Sequence, residues 1–163
     1  YFKNKNNGYW HYEQIELGLN YRMTDIQASL GLSQLKKIDI FVEKRNELAK
    51  NYYSMLKDQP ISLPFVLDNI KSSFHLYIIR VNDKRKHKTL FDYLRQHGIY
   101  VNLHYMPIHL SPYFKKIGFR KGQYPVSEKY GKTALSIPIY FGLRLNEIKK
   151  FIKVLKGTIE NKK

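Results

Sequence analysis

The chain has 163 residues, 43% of them hydrophobic and 15% aromatic, which is enough to bury one core and too apolar for a disordered tail. It contains no cysteine, so disulfide frameworks and thiolate metal sites are excluded. The formal charge of +16, from 29 Lys and Arg against 13 Asp and Glu, suits an anionic partner, yet the lysines are scattered along every segment and no helix-turn-helix, zinc-ligand or RNP pattern accompanies them. Nucleic acid is therefore not the expected partner. Nothing reads as a signal peptide or as an apolar run long enough to span a bilayer, a pattern that suits a cytoplasmic protein without a membrane partner.

Residues 1–17 are polar and aromatic without helical periodicity and read as a linker, with one short strand around Trp10 to Ile15. Thr24 with Gln27 three residues on is a capping-box pattern, so a helix is expected to start there. Apolar residues then recur at helical spacing from Ile26 through Leu56, and no proline intervenes before Pro60. Taken as one helix, residues 24–57 would be about 50 Å long at 1.5 Å per residue, too long for a small domain to surround. Just before the cap, Asn20, Tyr21 and Arg22 offer an amide, a phenol and a guanidinium beside the free N–H groups of a helix start, a combination that can hold an anion. From the residues alone the simpler account is that Asn20 shapes a turn, Tyr21 packs and Arg22 pairs with a carboxylate.

After Gln59-Pro-Ile-Ser-Leu-Pro64 ends helicity, Phe74–Val81 is β-branched and aromatic enough for a central strand, with His75 structural. Residues 88–97 put Leu90, Phe91 and Leu94 on one helical face, and Gly98 supplies a left-handed stop. Residues 99–107 read as a second strand broken by Pro107, with His104, Tyr105 and His109 gathered at its end and in the loop beyond. Neither histidine has a carboxylate or thiol nearby at metal-ligand spacing, so no metal is expected. Pro112 to Gly118 is a short helix. Residues 125–134 form another, with Val126, Tyr130 and Ala134 inward, and residues 135–140 an edge strand. A closing helix from about Asn146 carries Ile148, Phe151, Ile152, Leu155 and Ile159 on its apolar face. Three strands among helices without a βαβ rhythm predict an α+β domain with a small antiparallel sheet and one long N-terminal helix.

Three segments carry a resemblance. Gly18-Leu-Asn-Tyr-Arg-Met-Thr-Asp-Ile-Gln-Ala-Ser-Leu-Gly-Leu-Ser-Gln-Leu35, His104-Tyr-Met-Pro-Ile-His109 and Tyr124-Pro-Val-Ser-Glu-Lys-Tyr-Gly-Lys-Thr-Ala-Leu-Ser-Ile-Pro-Ile-Tyr140 resemble, in order, motifs of the DegT/DnrJ/EryC1/StrS sugar aminotransferases. These are pyridoxal-phosphate (PLP) enzymes that aminate nucleotide-linked keto sugars. The branch this sequence is most similar to makes the 4-amino precursor of pseudaminic acid from a UDP-linked 4-keto hexose.

The resemblance implies that residues 18–163 are the C-terminal small domain of a fold-type I aminotransferase and that residues 1–17 link it to an N-terminal PLP domain. The family's Schiff-base lysine lies in an H-x-x-K segment that this sequence lacks, so the chain alone is expected not to transaminate and to supply no catalytic residue. By the same resemblance, Asn20 reaches the cofactor phosphate of a partner subunit in a homodimer. Tyr21 and Arg22, with His104, Tyr105 and His109, contact a UDP-sugar, and glutamate is the amino donor. Phe141 departs from the proline common in relatives after the tyrosine, which bears on which sugar is accepted. The competing class is a stand-alone basic module that binds a nucleotide-sugar or nucleic acid.

Overall fold

The computed structural model describes residues 18–19, 21–83 and 86–160, so the linker reading of residues 1–17, the strand near Trp10 and the position of Asn20 lie outside the described residues. The chain divides into two compact units, the first ending at Lys37 and the second starting at Ile38.

In the first unit, helix α1 spans Asp25–Leu35 and starts as its capping box dictates. Thr24 Oγ1 accepts from the Gln27 amide at 3.3 Å, and Gln27 Oε1 accepts from the Thr24 amide at 3.0 Å. None of its side chains is buried, and Ile26, Leu30, Leu32 and Leu35 are all exposed.

The single helix expected over residues 24–57 is in fact two. At Lys36–Lys37 the hydrogen bonding tightens, Lys37 N donating to Gln34 O three residues back at 2.9 Å, and α2 begins afresh at Ile38. No proline or glycine marks this break, which is why periodicity ran through it.

The second unit is built around α2 (Ile38–Leu56), which buries Leu48, Ala49, Tyr52 and Leu56 along one stripe. Pro60 follows its last turn, and the chain enters β1 (Ile61–Ser62). Strand β2 (Tyr77–Val81) is central, pairing antiparallel with β1 through Ile61 and Val81 and with β3 (Ala134–Ile137) through Tyr77 and Ile137. Its alternation is the period-2 pattern of a half-covered sheet: Tyr77, Ile79 and Val81 are buried while Arg80 is exposed. Helix α3 (Lys86–Gln96) buries Leu90 and Leu94, and Gly98 stops it at φ 73°, a conformation that would strain any residue with a Cβ. Helices α4 (Pro112–Lys116) and α5 (Pro125–Gly131) both begin on a proline, and α6 (Leu145–Glu160) closes the core with Ile148, Phe151, Ile152 and Leu155. The α+β class with a three-stranded antiparallel sheet is as expected.

Two expected elements differ. Residues 99–107 are not a strand: Asn102 alone pairs with Ser136, and its side-chain Oδ1 then takes the Leu103 amide at 2.8 Å, diverting the donor that a longer ladder would need. The third strand is β1 instead, only two residues long. Helix α5 stops at Gly131, and of the residues expected inward Val126 is 84% exposed, Tyr130 is half-buried and Ala134 is buried but in β3, while Glu128, 7% exposed, turns in. Glu128 turns inward because its carboxylate is bound by the buried His109 and by the Gly122 amide.

Two polar fastenings tie the core. Tyr52, in contact with the rings of Tyr77 and Phe151, donates to Pro138 O at 2.7 Å. Arg45 donates from one guanidinium nitrogen to Phe74 O at 3.0 Å and Ile139 O at 2.9 Å, joining α2 to the loops before β2 and after β3. Phe74 is held at φ 42°, with its amide bound to Ser72 Oγ at 3.1 Å.

Candidate functional site: the His104 loop

The segment from Asn102 to Leu110 leaves the edge of β3 and crosses α5, and five contacts with residues 128–136 give it its shape. Ser136 and Asn102 exchange both backbone hydrogen bonds, at 2.7 and 3.1 Å. His104 Nδ1 lies 2.8 Å from Ser136 Oγ, and the Tyr130 hydroxyl donates to His104 O at 2.9 Å. Gly131 is packed so closely on Pro107 that a Cβ there would come within 2.6 Å of the proline Cδ. His109, 7% exposed, donates from Nε2 to Glu128 Oε1 at 3.1 Å, and the same oxygen accepts from Gly122 N at 2.6 Å.

The Gly122 amide and the His109 imidazole hold the Glu128 carboxyl below its ordinary range, against the opposing pull of burial. Burial raises the Tyr130 hydroxyl, keeping it a neutral donor to the loop.

The expected site residues fall into distinct settings. His104 is half-buried and its ring stands edge-on to Tyr105 at 4.8 Å, while Tyr105 is 72% exposed. These two are brought together on the surface. His109 lies beneath, on Glu128 and the Tyr124 ring. Tyr21, 91% exposed, and Arg22, also exposed, stand in the first unit, just before α1. A cleft of about 540 Å³, within the range that holds small ligands, is lined by Gln123, Tyr124, Pro125, Val126, Ser127 and Tyr130, the last being the residue that fastens His104.

Sequence assigned no role to Glu128, Gly131 or Ser136, and to Tyr130 only an inward place on its helix. All lie within the third motif, so the signal was present, but a motif does not say that its residues grip another motif.

Holding PLP requires a lysine for the Schiff base and an acidic or basic partner for the pyridine nitrogen within one cavity. Among the residues whose burial is described, no lysine is buried.

The three-stranded α+β fold is that of solved fold-type I aminotransferases. PseC of Helicobacter pylori, an aminotransferase involved in the biosynthesis of pseudoaminic acid, superposes with a TM-score of 0.83 at 29% identity, covering 94% of this chain and 42% of that one. The PLP form of Spr1654 from Streptococcus pneumoniae gives 0.85 at 28% identity, covering 93% and 39%. The chain belongs to the DegT/DnrJ/EryC1/StrS aminotransferase family, whose pattern it matches over residues 2–156. It is 36% identical over 148 residues to the UDP-4-amino-4,6-dideoxy-N-acetyl-beta-L-altrosamine transaminase of Campylobacter jejuni, covering 88% of this chain and 39% of that protein. The chain thus spans about two-fifths of the length of these relatives. No helix among the described residues is long and apolar enough to cross a membrane.

Proposed function

We propose that this chain is the C-terminal part of a cytoplasmic, homodimeric PLP-dependent enzyme that transfers an amino group from glutamate to the 4-keto group of a UDP-linked deoxy sugar, and that it is inactive alone. The observation that carries the reading is the 36% identity with the Campylobacter jejuni transaminase over 88% of the chain, beside the family match over residues 2–156, in which all three motifs fall. PLP, when bound, supplies the electron sink for amino transfer. The residues of this chain bind and orient. Asn20 reaches the cofactor phosphate of the partner subunit, and Tyr21 and Arg22 stand beside the nucleotide. His104 and Tyr105 offer a donor and a phenol to substrate oxygens. His109 serves the same surface from below, by keeping the loop on Glu128.

The complete polypeptide, loaded with PLP and given glutamate and a UDP-4-keto-6-deoxy-N-acetylhexosamine, should yield the 4-amino sugar and 2-oxoglutarate in equal amounts. An unchanged keto sugar, with PLP bound, would refute the assignment.

A further inference from the structure

Resting on the reading of His104 as a substrate-side group, we infer that Ser136 is a positioning residue that fixes His104 in the Nε2–H tautomer, so that the ligand atom it meets is an acceptor oxygen. Ser136 is 5% exposed and its backbone N–H and C=O are both bound to Asn102, so its hydroxyl oxygen is fixed in place 2.8 Å from His104 Nδ1. The His104 backbone is held as well, its carbonyl accepting from the Tyr130 hydroxyl, and the ring stands edge-on to Tyr105.

Two proton arrangements satisfy the short contact. In one, the Ser136 hydroxyl donates to Nδ1 and the ring proton sits on Nε2. In the other, Nδ1–H donates to Ser136 Oγ, and the hydroxyl proton needs a second acceptor. Among the described residues Ser136 Oγ has no partner besides His104, so the second arrangement leaves a buried O–H unmatched, the costly half of any hydrogen-bond exchange. The first leaves nothing unmatched. Nε2, which has no partner among the described residues, then carries an N–H. An N–H recognises a carbonyl, hydroxyl or phosphate oxygen and refuses an ammonium or amide N–H. On a nucleotide-sugar that oxygen belongs either to the diphosphate or to the sugar.

Imidazole nitrogen NMR on the 163-residue chain labelled at histidine, at about pH 8.5 where ordinary imidazoles are neutral, reads the tautomer directly. His104, assigned by the loss of its signals in His104→Gln, should show Nδ1 as the unprotonated nitrogen and Nε2 as the protonated one. In Ser136→Ala the two resonances should move toward each other as the tautomers mix, and Ser136→Thr should restore the separation. A protonated Nδ1 in the parent chain, or an unmoved tautomer in a folded Ser136→Ala, overturns the inference whether or not the chain belongs to a sugar aminotransferase.

Kinetics of the complete enzyme test the outward face separately. Gln places an amide N–H near Nε2 and Asn places one near Nδ1, so His104→Asn should raise the KM for the keto sugar by about tenfold relative to His104→Gln, as loss of one hydrogen bond would. If inhibition by UDP weakens in parallel, the oxygen is on the diphosphate; if it does not, the oxygen is on the sugar. Equal KM values for the two variants, with the tautomer as described, would overturn the substrate contact while leaving the role of Ser136 intact.

Discussion

Glu128 joins the Gly122 turn to His109, and its lowered pKa makes this link dependent on pH in one direction. A carboxyl depressed in the fold contributes stability that is present above its ordinary range and is lost as pH falls through the folded value. The thermal midpoint of the parent chain should therefore exceed that of Glu128→Gln at neutral pH, and the gap should close below about pH 4.5. A gap that persists unchanged at pH 3 would count against the link.

The tyrosines behave oppositely. Burial pushes Tyr77 up to about 12 and Tyr52 higher still, so their contribution is complete below the ordinary phenol range and is lost as pH rises through the folded values. In an alkaline titration followed by phenolate absorbance, these two should ionise together with unfolding rather than before it. Gly131 offers a steric test. Its Cβ would press on the rigid Pro107 ring, so Gly131→Ala should destabilise by about 1–3 kcal/mol despite alanine's better helix propensity, and should disturb the His104 and Tyr105 resonances first. An alanine variant as stable as the parent would show that the loop yields freely.

Helix α1 and strand β2 differ in what they bury, and mutation should expose the contrast. Ile79→Ala in the central strand removes a fully buried side chain and should cost about 2–5 kcal/mol. Replacing Ile26 and Leu30 of α1 together by Ser should leave the chain's main melting transition within about 0.5 kcal/mol, because neither side chain is buried. A drop comparable to that of Ile79→Ala would mean that α1 is integral to the core.

These elements also show what was legible beforehand. Thr24 and Gln27, the prolines opening α4 and α5, and Gly98 after α3 act locally, so the sequence shows them. The alternation of Tyr77, Ile79 and Val81 is local too. Strand β1, two residues after a proline, has no period to read, and residues 99–107 alternate like a strand but are stopped by the Asn102 side chain. The bond from Arg45 to Ile139 spans 94 positions and the pair of His109 with Glu128 spans 19, so neither follows from spacing. His104 and Tyr105 were legible as a surface pair through the family motif; their dependence on Ser136 and Tyr130 was not.

At the scale of the whole molecule, the basic character is compatible with an anionic UDP-sugar, since a positive field raises the local concentration of such a substrate. The proposed function rests on a division of labour. In that proposal this chain would bring Asn20 to a PLP site in its partner, and the Schiff-base lysine would come from polypeptide outside it. Subunit complementation tests that most directly. Two inactive forms of the complete enzyme, one with Asn20→Ala and one lacking the Schiff-base lysine, are mixed, allowed to exchange subunits, and assayed for conversion of the UDP-4-keto sugar to its amine. If Asn20 serves the partner's site, each mixed dimer contains one fully native site and amine formation returns. If the mixture stays as inactive as its parents although exchange has occurred, Asn20 serves its own subunit or no cofactor at all, and the proposed arrangement is wrong.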